Sequence, residues 1–175
     1  MVTKASQKAL FLDRDGVINE DYGYVYKTED CKFIPGIFDL CQKAKKNGYK
    51  LIVITNQAGI AKGYFSERDF ANFMDHVCKE FIVRGCPLDD VYYCPYHIEG
   101  NSPWNIDSPD RKPKPGMLLK AALKHDLNLS QCALIGDRES DILAGINAGV
   151  GTNILIDGKI EQGIIDLFDV PPAGA

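Results

Sequence analysis

Several features that this sequence lacks exclude whole classes of protein. No stretch approaches the ~20 consecutive apolar residues that a membrane-spanning helix requires. The segment Met1–Lys8 is short and polar, without the apolar core of a secretory signal. Basic residues are not in excess, since 20 Lys and Arg against 24 Asp and Glu leave a formal net charge of −4. We therefore expect a cytoplasmic protein that binds neither membranes nor nucleic acids.

The sequence also lacks the cysteine spacing of a disulfide framework, since its six cysteines are scattered. We therefore expect them to be reduced thiols. Internal repeats and low-complexity tracts are absent, and 175 residues suit one domain. We predict a single domain over 1–175, with an ordered core from about 8 to 168 and a disordered tail at 169–175. The absence of a second domain also favours a monomer.

Apolar runs alternate with amphipathic segments along the chain. Buried strands are predicted for five runs, namely 10–12, 51–54, 91–93, 132–135 and 152–156. Helices are predicted between them, at 37–46, 66–82, 115–127, 140–148 and 161–168. This alternation predicts an α/β fold, a doubly wound, mostly parallel, Rossmann-like sheet with helices on both faces and no large cap domain. The proline-rich segment 94–115 has no periodicity and is expected to be a long loop.

Two carboxylates stand where the first predicted strand ends. Asp13 and Asp15 follow the apolar run, and Gly16 comes directly after them. In an extended chain residues i and i+2 project to the same side, so both acids are able to serve one site while Arg14 points away and is structural. A hard cation such as Mg²⁺ would relieve their mutual repulsion. The alternative, an acidic turn without chemistry, is not excluded by so short a motif.

Polar residues also follow two later strands. Thr55 and Asn56 end the second strand, and Asp137 ends the fourth. Because the carboxyl ends of parallel strands share one edge, these side chains should converge on the two acids. Lys112 lies in a basic, proline-rich cluster before a predicted helix. Taken singly, Thr55 would be a turn hydroxyl, Asp137 a helix cap and Lys112 a solvated charge, whereas together they suit phosphoryl transfer.

Four motifs at these positions resemble those of haloacid-dehalogenase-type phosphatases. They are FLDRDG at 11–16, ITNQ at 54–57, RKPKPGM at 111–117 and GDRESD at 136–141. Further segments resemble the branch that contains heptose 1,7-bisphosphate 7-phosphatase and histidinol-phosphate phosphatase, namely 21–25, 55–63 and 92–95. The resemblance covers about residues 8–156 and implies a Rossmann-like phosphatase domain.

The resemblance implies a chemical role for the acids and cations. Asp13 would attack phosphorus and form an aspartyl-phosphate, while Asp15 would protonate the leaving oxygen and then activate water. Mg²⁺ would be bound by the Asp13 carboxylate, the Asp15 backbone carbonyl and the Asp137 carboxylate. Thr55 and Lys112 would hold the phosphoryl oxygens.

Other positions are implied to contact the substrate or to support the site. Asp141 would orient Lys112 or the metal ligands, and Arg138 would support the same region. Arg111 would bind an anionic group through its forked guanidinium. The remaining residues expected to contact the sugar phosphate are Asp21, Tyr22, Gly23, Tyr24, Asn56 and Gln57.

The same branch carries a structural zinc site in the long loop, and this sequence departs from it. The zinc-ligand positions, a Cys-x-His pair and a Cys-x-Cys pair, hold here Cys94, Tyr96, Ser108 and Asp110. His97 lies one residue away from the expected histidine. Closed zinc sites are rich in Cys and His, so we expect no structural zinc. The loop's prolines, with Trp104 as an anchor, would stiffen it instead.

The predicted function is a Mg²⁺-dependent phosphatase that removes the 7-phosphate of D-glycero-D-manno-heptose 1,7-bisphosphate, in nucleotide-activated heptose biosynthesis. Its partner would be a small phosphorylated sugar, of which the sequence does not fix the anomer. A phosphatase for histidinol phosphate or another small sugar phosphate is the alternative among enzymes. A signalling receiver domain is a more distant alternative. Receivers are phosphorylated on an Asp of a later strand, whereas the expected nucleophile here, Asp13, follows the first strand. A binding protein without catalysis is not favoured, since every catalytic position is filled.

Overall fold

The computed structural model describes residues 6–169 as a chain of alternating strands and helices. The strands are β1 (Lys8–Leu12), β2 (Tyr49–Asn56), β3 (Asp90–Cys94), β4 (Ala133–Gly136) and β5 (Thr152–Leu155). The helices are α1 (Ile37–Lys46), α2 (Ala58–Ala61), α3 (Glu67–Val83), α4 (Gly116–His125), α5 (Glu139–Ala148) and α6 (Gln162–Asp166). The tail predicted at 169–175 lies outside the described residues except for Asp169.

The five strands form one sheet in the order β3-β2-β1-β4-β5, and every pair is parallel. The predicted doubly wound, parallel α/β fold is therefore confirmed. The chain builds β1 to β3 in one direction and then returns to place β4 on the other side of β1. This reversal creates a switch point between β1 and β4, which is where open α/β sheets bind their ligands.

The core consists of two apolar layers, one on each face of the sheet. Along β1, Leu10 and Leu12 join the layer that contains α1 and α3, whereas Phe11 joins the layer that contains α4. These side chains are fully buried because helices cover both faces. Burial on both sides explains why the central strands are continuous apolar runs without polar alternation.

Element boundaries differ from the predictions by one or two residues in most places. Ser66 caps α3, since its hydroxyl accepts the Asp69 N–H at 3.1 Å and Asp69 Oδ2 accepts the Ser66 N–H at 2.8 Å. Pro115 precedes the first residue of α4 instead of lying within its first turn. The one-turn helices Thr28–Asp30 and Leu129–Gln131 were not predicted, because a single 3-10 turn has no apolar periodicity to detect.

The predicted loop between β3 and α4 contains no helix or strand at 95–115. The loop is tied to α2, since the Asn101 N–H donates to the Ala61 carbonyl at 2.7 Å, and to itself, since the His97 N–H donates to the Trp104 carbonyl at 3.1 Å. None of the helices within residues 6–169 combines the length and the apolar character needed to cross a bilayer.

Candidate active site

The predicted polar residues gather at the carboxyl edge of the sheet, where β2, β1 and β4 end side by side. Asp13 directly follows β1, and its N–H donates to the Ile135 carbonyl at 3.1 Å. Thr55 lies near the end of β2, and Asp137 directly follows β4. Acidic and hydroxyl groups therefore converge on the switch point, as expected from the parallel order of the strands.

A buried lysine joins two acids of this site. Lys112 Nζ lies 2.9 Å from Asp13 Oδ1, 2.7 Å from Asp141 Oδ1 and 2.9 Å from the Ile54 carbonyl oxygen. These three contacts use the three hydrogens of the ammonium group. Burial lowers the pKa of Lys112, but the two carboxylates outweigh burial and raise it. The lysine is therefore held as a cation beside Asp13.

Asp13 is incompletely neutralised by this contact. Its residue surface is only 8% exposed, and burial raises the pKa of Asp13 to about 8 although Lys112 opposes the shift. The carboxylates of Asp141 and Asp15 add to the increase, because each disfavours another negative charge nearby. An ionised Asp13 at neutral pH therefore calls for positive charge in addition to that of Lys112.

Asp141 is fixed by the start of α5. Its Oδ2 accepts the backbone N–H groups of Asp137 and Arg138, each at 3.1 Å, while Oδ1 contacts Lys112. A carboxylate is favoured here because the first N–H groups of a helix have no partner within the helix. The structure thus places Asp141 against Lys112, which is one of the two positions implied for it by the sequence.

Asp137 has a buried oxygen, Oδ1, without a hydrogen-bond partner among residues 6–169, and burial raises the pKa of this side chain. Gly16 lies against it with φ of +84°, and a Cβ atom at Gly16 would meet Asp137 Oδ2 at 2.1 Å. Carboxylate oxygens of Asp13, Asp137 and Asp141 lie within 4.8 Å of one another. Because both oxygens of Asp141 are already bonded, Asp13 and Asp137 are the acids that fit a hard cation such as Mg²⁺.

Asp15 is held by side-chain donors on both of its oxygens. Arg14 Nη2 lies 2.7 Å and Asn19 Nδ2 lies 3.0 Å from Oδ1, while Gln57 Nε2 lies 3.2 Å from Oδ2. The prediction that Arg14 points away from the acids is wrong. The strand ends at Leu12, so the alternation of side-chain direction does not continue, and the fully buried Arg14 turns back onto Asp15.

The residues that end β2 bond to other groups of the site. Thr55 is buried, and its Oγ1 accepts Gln57 Nε2 at 2.8 Å. Asn56 binds the backbone of Lys112 twice, because Oδ1 accepts the Lys112 N–H at 3.0 Å and Nδ2 donates to the Lys112 carbonyl at 3.1 Å. The amides of Asn56 and Gln57 therefore position Lys112 and Asp15 while both residues also line the cleft described next.

A cleft of about 600 Å³ opens in front of Asp13. The predicted residues that line it are Asp13, Asp15, Asp21, Gly23, Tyr24, Asn56, Gln57, Arg111, Lys112, Arg138 and Asp141. Tyr22 is not brought into the cleft, since its exposed ring lies 5.4 Å from Lys32 Nζ and its hydroxyl contacts the Glu20 carboxylate. At the mouth, Arg138 Nη2 pairs with Asp21 Oδ2 at 3.0 Å.

Some lining residues were not assigned by the sequence, namely Lys62, His97 and Ser140. Lys62 lies within the motif segment 55–63, and this resemblance was the sequence signal that could have assigned it to the site. Its Nζ donates to the Tyr24 hydroxyl at 3.1 Å. His97 follows the end of β3, and Ser140 follows the end of β4, by a few residues. Their position after these strands was the only sequence signal that placed them at the carboxyl edge of the sheet.

The four positions that correspond to the family's zinc ligands do not fit zinc. Burial raises the pKa of the Cys94 thiol, although hydrogen bonds with the Tyr96 backbone and the Ser108 side chain oppose the shift. The Tyr96 ring packs on Trp104 with centroids 5.7 Å apart, and Asp110 forms an ion pair with Lys120. One thiol, two hydroxyls and a paired carboxylate do not make the Cys- and His-rich set of a closed zinc site.

Comparison with known proteins places this chain in a family. The HAD-hydrolase-like family model matches residues 110–172. A D-glycero-alpha-D-manno-heptose-1,7-bisphosphate 7-phosphatase of Burkholderia mallei is 53% identical over 150 residues, which are 85% of this chain and 79% of the relative. The enzyme of the same description from Campylobacter jejuni is 48% identical, over 89% of this chain and 86% of the relative. The D-glycero-beta-D-manno-heptose-1,7-bisphosphate 7-phosphatase of Haemophilus influenzae is 44% identical, over 85% of this chain and 81% of the relative.

Solved structures agree with these relatives. A Mesorhizobium loti protein described as HAD-like superposes with a TM-score of 0.87 at 33% identity, covering 97% of this chain and 89% of the other. The D,D-heptose 1,7-bisphosphate phosphatase of B. bronchiseptica, complexed with magnesium and phosphate, gives a TM-score of 0.77 at 25% identity, covering 95% and 89%. The chain therefore belongs to the haloacid-dehalogenase-like hydrolases, in the family of the D-glycero-D-manno-heptose-1,7-bisphosphate 7-phosphatases.

Proposed function

We propose that this protein hydrolyses the 7-phosphate of D-glycero-D-manno-heptose 1,7-bisphosphate with Mg²⁺, by way of an aspartyl-phosphate on Asp13. The observation that carries the proposal is the buried Asp13 directly after β1, which lines a cleft, pairs with Lys112 and lies close to Asp137. Relatives that are 44% to 53% identical are named for this reaction.

Asp13 acts as the nucleophile in this account. One of its carboxylate oxygens bonds to phosphorus as the bond to the C7 oxygen breaks, and Asp15 gives its proton to that leaving oxygen. Asp15 then takes a proton from water, whose oxygen attacks phosphorus and releases Asp13 and inorganic phosphate. The donors that surround Asp15 support this assignment, because Arg14, Asn19 and Gln57 fix where its carboxylate lies.

Lys112 and Thr55 stabilise the phosphoryl oxygens as negative charge spreads over them. The ammonium of Lys112 is aimed at this position by Asp141 and by the backbone pairing with Asn56. Because its three hydrogens are already bonded, Lys112 acts on the phosphoryl group through its positive charge, which Asp13, Asp141 and the Ile54 carbonyl hold in place.

Mg²⁺ fits the acids of this edge. The Asp13 carboxylate, the Asp15 backbone carbonyl and the Asp137 carboxylate would hold it, and the partnerless Asp137 Oδ1 supports this assignment. Bound Mg²⁺ would supply positive charge that favours an ionised Asp13 and offsets charge on the phosphoryl group. The B. bronchiseptica structure contains magnesium together with phosphate, which supports the choice of metal.

The sugar occupies the open part of the cleft. Gly23 and Tyr24 line one wall, and the ion pair between Asp21 and Arg138 frames the mouth. Arg111 binds an anionic group of the substrate with its guanidinium. Tyr22 is left out of this set because its side chain is directed to Glu20 and Lys32. The loop at 95–115 is held without zinc, by the packing and ion pair described at its zinc-ligand positions.

A substrate comparison tests this function. Both anomers of the bisphosphate and histidinol phosphate are offered to the purified enzyme with Mg²⁺ or with chelator, and phosphate release gives kcat/KM. We expect a preference for the bisphosphate of at least about 100-fold over histidinol phosphate, because a site built for an anionic sugar rejects analogues that leave its polar groups unpaired. The alpha anomer is expected to be preferred, since the relatives at 53% and 48% identity act on it. A preference for histidinol phosphate would contradict the proposal.

A further inference from the structure

Arg14 is a cation that the fold buries completely, one residue before the acid and base Asp15. Its residue surface is 0% exposed, and it does not line the cleft. Its guanidinium carbon lies 4.3 Å from the ring centroid of Phe73 and 5.8 Å from that of Phe70, both of which belong to α3. A side chain buried in this way does not reach a substrate, so any contribution of Arg14 to the reaction passes through a neighbouring group.

The stability of the core is a poor explanation for a buried arginine here. Arg14 Nη1 is buried without a hydrogen-bond partner among residues 6–169, and an unsatisfied buried donor is unfavourable. The contact with the Phe73 ring offsets only part of this cost. A well-packed apolar side chain is often at least as stable in such a place as a buried ion pair. The position of Arg14 is better explained by its effect on Asp15.

The two carboxylate oxygens of Asp15 have different surroundings. Its Oδ1 accepts three hydrogen bonds, from Arg14 Nη2 at 2.7 Å, from Arg14 Nε at 3.2 Å and from Asn19 Nδ2 at 3.0 Å. Its Oδ2 accepts only Gln57 Nε2, at 3.2 Å. The guanidinium is also anchored away from Asp15, because Nη2 donates to the Val25 carbonyl. Arg14 therefore holds one oxygen of Asp15 and leaves the other largely free.

This difference decides which oxygen of Asp15 carries a proton. Oδ1 has no lone pair left for a proton, because it accepts three hydrogen bonds, two of them from a cation. The Asp15 side chain is 20% exposed and lines the cleft, so Oδ2 is the oxygen available to a reacting group. The proton given to the leaving oxygen departs from Oδ2, and the proton taken from water then returns to Oδ2.

We propose that Arg14 is a positioning residue of this phosphatase. It occupies Oδ1 of Asp15 and directs Oδ2 first to the leaving oxygen and then to the attacking water. The inference rests on the proposed function, in which Asp15 is the acid of the first step and the base of the second. Arg14 itself contacts neither the phosphoryl group nor the sugar, so its removal should slow proton transfer and leave substrate binding unchanged.

The variant Arg14→Met tests this role with two leaving groups. The p-nitrophenolate ion needs no proton, so kcat/KM on p-nitrophenyl phosphate should stay within about 2-fold of wild type. The kcat on the same substrate should fall about 10-fold or more, because hydrolysis of the aspartyl-phosphate needs the base. A burst of nitrophenolate about equal to the enzyme concentration should accompany the loss. On heptose 1,7-bisphosphate, whose leaving oxygen needs a proton, kcat/KM itself should fall about 10-fold or more.

A double variant distinguishes action through Asp15 from a general effect on the fold. Adding Arg14→Met to Asp15→Asn should lower kcat on p-nitrophenyl phosphate by less than about 2-fold further, because the group that Arg14 positions is already disabled. Arg84→Met is the matched control, since its guanidinium also lies 4.3 Å from a Phe ring, that of Phe38, but does not line the cleft. This control should retain wild-type kinetics on both substrates.

Thermal unfolding verifies that each variant is folded. Where Arg14→Met does not fold, Arg14→Lys retains the buried charge but not the two donors on Oδ1, and it should show the same pattern with a loss of about 3-fold or more. Losses in kcat/KM that are equal on both substrates, unchanged kinetics, or an undiminished loss in the Asp15→Asn background would overturn the role of Arg14 alone. Wild-type activity of Asp15→Asn on the bisphosphate would contradict the proposed function itself.

Discussion

Asp137 illustrates at the scale of one residue how burial prepares a cation site. Its Oδ1 is buried without a hydrogen-bond partner among the described residues, and burial raises the pKa of the side chain. Leaving a buried acceptor unsatisfied costs roughly 1–3 kcal/mol, more for a charged group. Gly16 permits this arrangement, because any side chain there would overlap Asp137. A bound cation would give this buried oxygen a favourable partner and remove the cost.

The variant Asp137→Asn tests that interpretation through stability. Mg²⁺ at 100 times its dissociation constant should stabilise the wild-type fold by about 2.7 kcal/mol, because it binds the folded state alone. The shift in thermal midpoint between Mg²⁺ and chelator measures this effect, and it should nearly vanish in Asp137→Asn. Asp75→Asn, an exposed change on α3, should retain the full shift. An undiminished shift in Asp137→Asn would place the cation elsewhere.

Among the secondary-structure elements, β3 and α4 are joined by charge. Asp90 at the start of β3 contacts Lys124 and His125 at the end of α4, with distances of 2.8 and 2.7 Å to Asp90 Oδ2. Burial raises the pKa of Asp90, but the hydrogen bonds from these side chains outweigh burial and lower it from about 3.8 to about 2. Cations near the end of α4 are also favoured by the helix dipole.

This pairing predicts a pH-dependent contribution to stability. A carboxyl with a lowered pKa in the folded state stabilises the protein above its ordinary pKa, and the effect is lost as pH falls from about 4 toward 2. Asp90→Asn should therefore reduce the free energy of unfolding by about 1 kcal/mol at pH 6 and by clearly less at pH 3. Urea unfolding at both pH values measures the difference. A penalty that is the same at pH 6 and pH 3 would argue against an ionic origin.

The elements themselves were largely predictable from the sequence, and the reason is physical. Continuous apolar runs such as 51–54 are required when a strand is buried on both faces, and parallel strands bring their carboxyl ends to one edge. These two rules sufficed to predict that Asp13, Thr55 and Asp137 converge. The direction of Arg14 and the position of Tyr22 were not predictable, because both depend on the backbone beyond Leu12, where no regular period applies.

At the scale of the whole molecule, the order of the strands explains the site. Because β1 lies between β2 and β4, the segments that follow these three strands meet in front of Asp13. The loop before α4 then brings Lys112 across the edge, where Asn56 and Asp141 hold it. Lys62 lies within the motif segment 55–63, whereas His97 reaches the cleft through the three-dimensional course of its loop, which the sequence pattern does not report.

The most direct test of this account is a rapid acid quench of the Asp15→Asn variant with p-nitrophenyl phosphate. This leaving group needs no proton, so the phosphoryl transfer to Asp13 proceeds, whereas hydrolysis is slow because the base that activates water is missing. Peptide mass spectrometry should find one phosphoryl group on the peptide that contains Asp13. Asp13→Asn, the control, should show neither turnover nor a phosphorylated peptide. The absence of any phosphorylated peptide in Asp15→Asn, or a phosphoryl group on Asp137 instead, would contradict the assignment of Asp13 as the nucleophile.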